Sequence, residues 1–370
     1  MKGMRVLIAP DKFKGSLDAS AVAESIAHGI RDVLPDAAIE IAPVADGGEG
    51  TAEAICTAQR GTWVKSPTHD PFGRGIDARF AYIENRRLAV IEMSEAAGMR
   101  RLREQQLDPF RATTFGVGEM ILHAGRHGAQ TIIVGLGGSA TNDGGFGMAR
   151  AFGYRFFEGE LEHELRSAVS HLAKLKAIEV PPNLSLPKII GAADVRNPLT
   201  GKNGATRVFG PQKGAGPEKI EVLERAMTRL ADIAAKRLRV DHRNVPGAGA
   251  AGGLGFGLMT FCGATMRPGF AVVAEAVGLE AKVKSADIVI TGEGKLDRQT
   301  LEGKTAAGVA DLAHKSGKRV FAIVAQMEDD GEVRKMFDKI YAFGGTIPEA
   351  KHLLRQKGQE LAKDLRGTLK

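Results

Sequence analysis

The sequence predicts an α/β protein built on parallel sheets and divided into two domains. Three observations predict it. Short β-branched runs alternate with helical periodicity at both ends of the chain. The centre breaks that rhythm. Glycine supplies 47 of 370 residues and gathers in bursts just after predicted strands, where a backbone can approach a ligand closely.

The elements follow in order. Residues 5–9 (RVLIA) read as a strand, and Ser16 or Asp18 caps a helix to about Val33, with Val22, Ile26 and Ile30 on one face. Residues 39–44 form a second strand, followed by a loop and a helix near 49–59. Residues 76–93 read as a strand pair around Asn85-Arg86-Arg87, and Thr113 or Thr114 starts a helix to about His127. Strands at 131–135 (TIIVG) and 188–193 (KIIGAA) each run into a motif. A long loop runs from Asp194 to Pro217, and a helix follows from 218 to about 239. Regular alternation returns with strand 286–291, helix 303–315, strand 319–324, helix 330–337, strand 339–343 and a last helix from about 348. The matching rhythm of the two ends places one domain on residues 1–65 plus 285–370, with 66–284 inserted.

Composition narrows the functional classes. Hydrophobic residues make up 43% and charged residues 26%, the balance of a globular chain with a sizeable core. No apolar run reaches the ~20 residues of a membrane helix. The opening MKGMRVLIAP lacks a signal-peptide core, so a cytoplasmic location is expected. Cys56 and Cys262 form neither a CxxC pair nor a disulfide framework. The formal charge is +7, and the last twenty residues hold six Lys or Arg against two acids. The remaining excess argues against a nucleic-acid partner and is compatible with an anionic small molecule.

Six segments carry the chemistry. Pro10-Asp11-Lys12-Phe13-Lys14-Gly15-Ser16 ends the first strand, where open α/β sheets bind ligands; an exposed turn with two solvated lysines is equally compatible. Asp46-Gly47-Gly48-Glu49-Gly50-Thr51 offers two carboxylates among three glycines, suited to Mg²⁺ or a hydroxyl, although helix capping needs an acid too. In Gly135 to Gly145 (GLGGSATNDGG), positions 135, 137 and 140 fit the dinucleotide fingerprint, with Glu158 at the spacing of a ribose-binding acid. Asn142 and Asp143 suit a hydroxylated substrate, a phosphate or magnesium better. Asp194 to Gly216 ends a strand in an acid and spaces Lys202, Arg207 and Lys213 along a loop; Asp194 stands where a general base would sit, or forms an Asx turn. The Gly/Ala run at 246–257 lacks a preceding strand, so its small residues favour close packing. Thr291-Gly292-Glu293-Gly294-Lys295-Leu296-Asp297 is another strand-to-loop junction, and Gly303-Lys304-Thr305 is not a Walker A motif because Arg298 holds the required glycine position. The chain has no HExxH, no GxSxG and too few aromatics for a single-strand platform.

As an ordered set, APDKFKGSL (9–17), ADGGEGT (45–51), GLGGSATNDGG (135–145), DVRNPLTGKNGA (194–205), VFGPQKGA (208–215), PGAGAAGGLG (246–255) and ITGEGKLDRQT (290–300) resemble the type 1 glycerate kinase family. The resemblance implies a flavodoxin-like domain made from both termini and an inserted domain similar to restriction endonucleases. It implies phosphoryl transfer from ATP to D-glycerate with Mg²⁺, most often giving 2-phosphoglycerate, with 3-phosphoglycerate the other product. Arg196, Ala271 and Gln326 depart from the family's usual residues, as does the tail.

Phosphoryl transfer needs N–H groups and lysines for phosphates, acids for Mg²⁺, and a carboxylate for the attacking hydroxyl. Residue type and strand-end position then assign expected roles in an interdomain cleft. Asp194 is the base, with Asp46, Lys12 and Lys295 closest to the chemistry. Asp46, Glu49 and Asp143 are the expected metal ligands. Gly137, Gly138, Ser139, Thr141, Lys213, Gly292 and Gly294 are expected at the nucleotide. Lys14, Ser16, Asn142, Asn197 and Asp297 are expected at the hydroxy acid. A nicotinamide-dependent dehydrogenase using 135–140 and a catalytically silent glycerate or nucleotide sensor are the alternatives.

Overall fold

The computed structural model describes residues 3–13, 15–159, 163–165, 168–298, 300, 305–328, 330–344 and 349–368. The chain divides into two compact units: 1–46, 53–59 and 270–370 form the first, and 47–52 with 60–269 form the second. The division therefore falls at 46–60 and at 269 rather than near 65 and 285. Strand Thr62–His69 pairs antiparallel with Gly75–Ile83, so its whole length belongs to the second unit.

The first unit is built on a five-stranded sheet in the spatial order Lys339–Ala342, Arg319–Val324, Ile288–Thr291, Arg5–Ile8, Ala38–Ile41. Every pairing is parallel. The first strand lies between Ala38–Ile41 and Ile288–Thr291, so both ends of the chain form one sheet, as the βα rhythm predicts. Val6, Ile8, Ile288, Ile290, Phe321 and Ile323 bury one face against helices Ala19–Val33 and Ala350–Thr368. Asp18 caps the first of these by accepting from Ala21 N at 2.7 Å, as its position predicts. The two helices approach closely at glycine: a Cβ on Gly29 would lie 2.0 Å from the Arg355 carbonyl oxygen.

The second unit carries a six-stranded sheet in the order Thr265–Arg267, Lys188–Ala192, Thr131–Gly135, Leu88–Glu92, Gly75–Ile83, Thr62–His69. The first four strands run parallel and the last two complete an antiparallel edge. Phe80, Ile91, Met120, Ile132, Val134 and Phe146 anchor its core. The expected strand pair at 76–93 is present as Gly75–Ile83 and Leu88–Glu92, joined by a short helical turn at Glu84–Arg86.

One expectation changes and another holds. The segment from Asp194 to Pro217 is not a continuous loop: it holds helix Ala205–Phe209 and the turn Pro211–Lys213. The 246–257 run enters helix Ala250–Cys262, whose first turns hold Ala251, Gly252 and Gly253 at positive φ. A Cβ on Gly252 would lie 1.9 Å from the Thr141 carbonyl oxygen, and one on Gly257 2.7 Å from that of Gly144. These small residues bring a helix against the 141–145 backbone, as their composition predicts.

Replacing Gly29 with Ala sets a helix-propensity gain of about 1 kcal/mol against steric overlap with a carbonyl that cannot leave its helix. The overlap is expected to win, with a net loss of about 2 kcal/mol in urea unfolding; a stabilised variant would contradict this packing.

Candidate functional site

In parallel sheets the carboxyl ends of neighbouring strands present their loops along one edge. In the second unit Leu88–Glu92, Thr131–Gly135 and Lys188–Ala192 are adjacent and in register, with Glu92 opposite Gly135 and Gly135 opposite Ala192. That edge therefore collects Glu92–Ser94, Gly135–Asp143 and Asp194. Leu136 N donates to Ala192 O at 3.1 Å, which ties the glycine loop to the neighbouring strand.

The loop is anchored through specific groups. Gly138 O accepts from Met99 N at 2.8 Å, and Ala140 N donates to Ala97 O at 2.9 Å. Between these anchors, the amides of Gly137, Gly138 and Ser139 donate to no backbone or side-chain acceptor among the described residues. Gly138 sits at φ +69°, and both glycines are half-buried. Successive N–H groups around a left-handed residue form a concave anion site. The glycines let the loop pack against the 47–52 turn: a Cβ on Gly137 would meet Gly48 Cα at 2.5 Å, and one on Gly138 would meet Glu49 Oε1 at 2.8 Å.

Further along, the loop turns inward. Asp143 is completely buried and accepts from Thr114 N (2.8 Å), Thr114 Oγ1 (2.8 Å), Gly145 N (3.0 Å) and Gly147 N (3.1 Å). Burial pushes its carboxyl pKa up, while the four donors hold it down. These donors take up the oxygens a cation would need, so Asp143 braces the loop and does not fit the expected metal role. Lys213, expected to touch the nucleotide, is only 1% exposed. Its Nζ donates to Ser139 Oγ at 2.6 Å and to the Thr141 carbonyl at 2.7 Å. Burial lowers the lysine pKa to about 7, opposed by the charge of Asp143.

Asn142 Nδ2 donates to Thr206 Oγ1 at 3.0 Å. Asn142 Oδ1, Thr141 Oγ1, Ser94 Oγ and Thr51 Oγ1 are buried and have no hydrogen-bond partner among the described residues. Asp194 Oδ1 accepts from Gly269 N at 2.6 Å. Asn197 donates instead to the Asn203 carbonyl at 2.8 Å, closing its own turn. Sequence reasoning did not select Glu92, which accepts from Gly50 N (2.8 Å) and Ala52 N (3.0 Å) and so fixes the Asp46–Thr51 turn. It lies at the end of a fully buried strand and reads there as core.

The first unit gathers a second group at its own carboxyl edge. Asp11 N donates to Gly292 O at 2.8 Å, and Thr291 Oγ1 to Ala9 O at 2.9 Å, joining the ends of adjacent strands. The Asp11 carboxylate accepts from Lys12 N (2.6 Å) and Thr305 Oγ1 (2.7 Å). Burial and the nearby charge of Asp46 push its pKa up to about 6. Asp11 is the acid that sequence reasoning passed over in favour of Lys12. The signal was its position at a strand's carboxyl end. Ser16 Oγ is buried and has no partner among the described residues. Lys295 pairs with Glu328 and lies 3.7 Å from Asp297, and Gly294 O accepts from Gln326 N at 3.0 Å. Lys14, Gly303 and Lys304 lie outside the described residues.

No group of three His, Cys, Asp or Glu side chains that could hold a metal occurs among the described residues. Mg²⁺ needs less, because it commonly binds through one or two carboxylates plus phosphate oxygens and water. Glu49, whose Oε1 would lie 2.8 Å from a Cβ on Gly138, is one such carboxylate.

The dinucleotide reading lacks its structural frame. Arg155–Phe157, which precedes Glu158, pairs antiparallel with Ala177–Glu179 in a separate two-stranded sheet. A dinucleotide fold would place that strand parallel to Thr131–Gly135 in the main sheet.

Comparisons with known proteins agree on one family. The family model described as the glycerate kinase family matches residues 6–369. A glycerate 2-kinase of Escherichia coli (strain K12) is 42% identical over 330 residues, covering 88% of this chain and 86% of the relative. A glycerate kinase of Bacillus subtilis (strain 168) is 43% identical over 329 residues, covering 88% and 86%. A crystal structure named for a glycerate kinase 2 of Salmonella typhimurium LT2 superposes with a TM-score of 0.89 at 40% identity, covering 99% of both chains.

The buried lysine makes a pH prediction. Its folded pKa, about 7, lies below its ordinary value of 10.5. Between those values the unfolded chain binds the extra proton, so this group's contribution to stability rises with pH across that window and is lost as pH falls towards 7. Lys213→Met is expected to remove that slope from the melting temperature between pH 7 and 10; an unchanged slope would show that the lysine is not held neutral by burial.

Proposed function

The chain belongs to the glycerate kinase family, and from that premise we propose that it transfers the γ-phosphoryl group of ATP to D-glycerate, with 2-phosphoglycerate as the product. One observation carries the reading at the level of chemistry: three adjacent amides with no acceptor among the described residues, at Gly137–Ser139, lie on the same sheet edge as the Asp194 carboxylate. Phosphoryl transfer is mainly positioning and charge stabilisation. Such a loop supplies fixed dipoles for phosphate oxygens, and an acid on the neighbouring strand supplies an acceptor for the hydroxyl proton.

In this reading the Gly137, Gly138 and Ser139 amides hold phosphate oxygens. Glu49 would hold Mg²⁺, which would supply charge neutralisation at the phosphates. Asp194 orients the glycerate hydroxyl and takes its proton as the oxygen–phosphorus bond forms and the bond to ADP breaks. The orphaned oxygens of Ser94, Thr141 and Asn142 support a hydroxylated ligand nearby. Among the described residues no helix is long and apolar enough to cross a membrane, and both reactants are small and soluble.

Incubation with ATP, Mg²⁺ and D-glycerate, read by phosphorus NMR, is expected to yield ADP and 2-phosphoglycerate; 3-phosphoglycerate would correct the position, and no phosphoglycerate would remove the reading. Thermal shift is expected with MgATP and not with NADH. Asp194→Asn should lower kcat by about 100-fold or more, and a near-normal rate would exclude it as the base.

A further inference from the structure

We infer that Lys213 is a positioning residue for nucleotide binding: from behind the loop its amine fixes Ser139 and Thr141, so the Gly137–Ser139 amides meet a phosphate already in place. The inference rests on reading that loop as the ATP-phosphate site.

The side chain cannot play the role its charge first suggests. At 1% exposure it has no surface to offer a nucleotide. Both its named hydrogen bonds go to the loop, at 2.6 Å to Ser139 Oγ and 2.7 Å to the Thr141 carbonyl. Burying an amine costs several kcal/mol unless partners compensate, and the lowered pKa shows the cost. The lysine's own backbone is held firmly. It ends the turn Pro211–Lys213, and Gly214 follows at φ +87°, where a Cβ would lie 2.5 Å from the Leu107 carbonyl oxygen.

The contacts divide the loop into a held side and an offered side. Thr141 O lies between the lysine and Gly252, whose missing Cβ leaves room for it. Gly138 O and Ala140 N are tied to Met99 and Ala97. Asp143, whose charge acts on Lys213, is held by its own four donors. Left without an acceptor among the described residues are the amides of Gly137–Ser139, around Gly138 at φ +69°, and those of Thr141–Asp143. Donors fixed in advance bind phosphate without a reorganisation cost. A loop that grips phosphate oxygens before and during transfer affects ground state and transition state alike. Its loss should therefore appear in the KM for ATP rather than in kcat.

The test compares the wild-type enzyme with Lys213→Met, Ser139→Ala and the double variant, in steady-state kinetics with both substrates and in thermal melts. Lys213→Met is expected to raise the KM for MgATP about 10-fold or more, with kcat and the KM for D-glycerate within about 3-fold. Ser139→Ala is expected to raise the same KM by about 3-fold or more, and the double variant to lose no more than Lys213→Met, since residues acting through one contact are not additive. An unchanged KM for ATP, full additivity, or a rise of both KM values together with a fall in kcat and in melting temperature would overturn the inference. If Lys213→Met does not fold, Ser139→Ala decides alone, and an unchanged ATP KM there overturns it. Wild-type enzyme that turns over D-glycerate but fails these tests sinks only this inference; wild-type enzyme that transfers no phosphoryl group sinks the kinase reading and this inference with it.

Discussion

A tight glycine-rich turn must place every peptide group somewhere, and a buried one without a partner costs free energy. The Gly135–Gly145 segment meets this constraint only in part. The Gly138 and Thr141 carbonyls and the Asp143 carboxylate are satisfied by Met99, Thr114, Gly145, Gly147 and Lys213. The amides of Gly137–Ser139 and of Thr141–Asp143 have no acceptor among the described residues. Much of the second unit supports this segment. Helix Ala250–Cys262 gives up side chains at Gly252 and Gly257 so that its backbone supports the loop at close range. Glu92 fixes the neighbouring Gly50–Ala52 turn through two backbone donors. Lys213 accepts burial to hold Ser139 and Thr141.

The first unit solves a related problem with different chemistry. Its sheet edge brings Asp11 and Asp46 near enough that one carboxylate raises the pKa of the other. A like-charge pair of this kind is unfavourable until a proton or cation relieves it. Each unit thus concentrates polar groups at the carboxyl edge of a parallel sheet. One edge is acidic, and the other is rich in amide donors.

The sheets were legible because their strands are short apolar or β-branched runs, such as Val6–Ile8, Ile132–Val134 and Val320–Val324, and because such runs at both ends of a chain can share a sheet. Strand Thr62–His69 was not legible: Lys65, Ser66 and Pro67 interrupt the pattern of an edge strand whose outer side has no neighbouring strand among the described residues. The break in the Asp194–Pro217 loop was also hidden, since Ala205–Phe209 spans barely one helical turn. Motif positions were legible at the level of the strand end, but roles within a motif were not. Asp143 and Lys213 carry the charges of ligand-binding groups, and only burial and hydrogen-bond partners show that they face inward. Asp11 and Glu92 looked ordinary because their value lies in partners far away in sequence, Thr305 and Gly50.

The central claim is that the Gly137, Gly138 and Ser139 amides are the phosphate-binding donors. Amide-resolved ¹H–¹⁵N spectroscopy of the full-length protein, titrated with MgATP, tests it most directly. The account predicts large downfield shifts at these three amides, absent with NADH. Saturating MgATP that supports turnover yet leaves the three amides unmoved would contradict it.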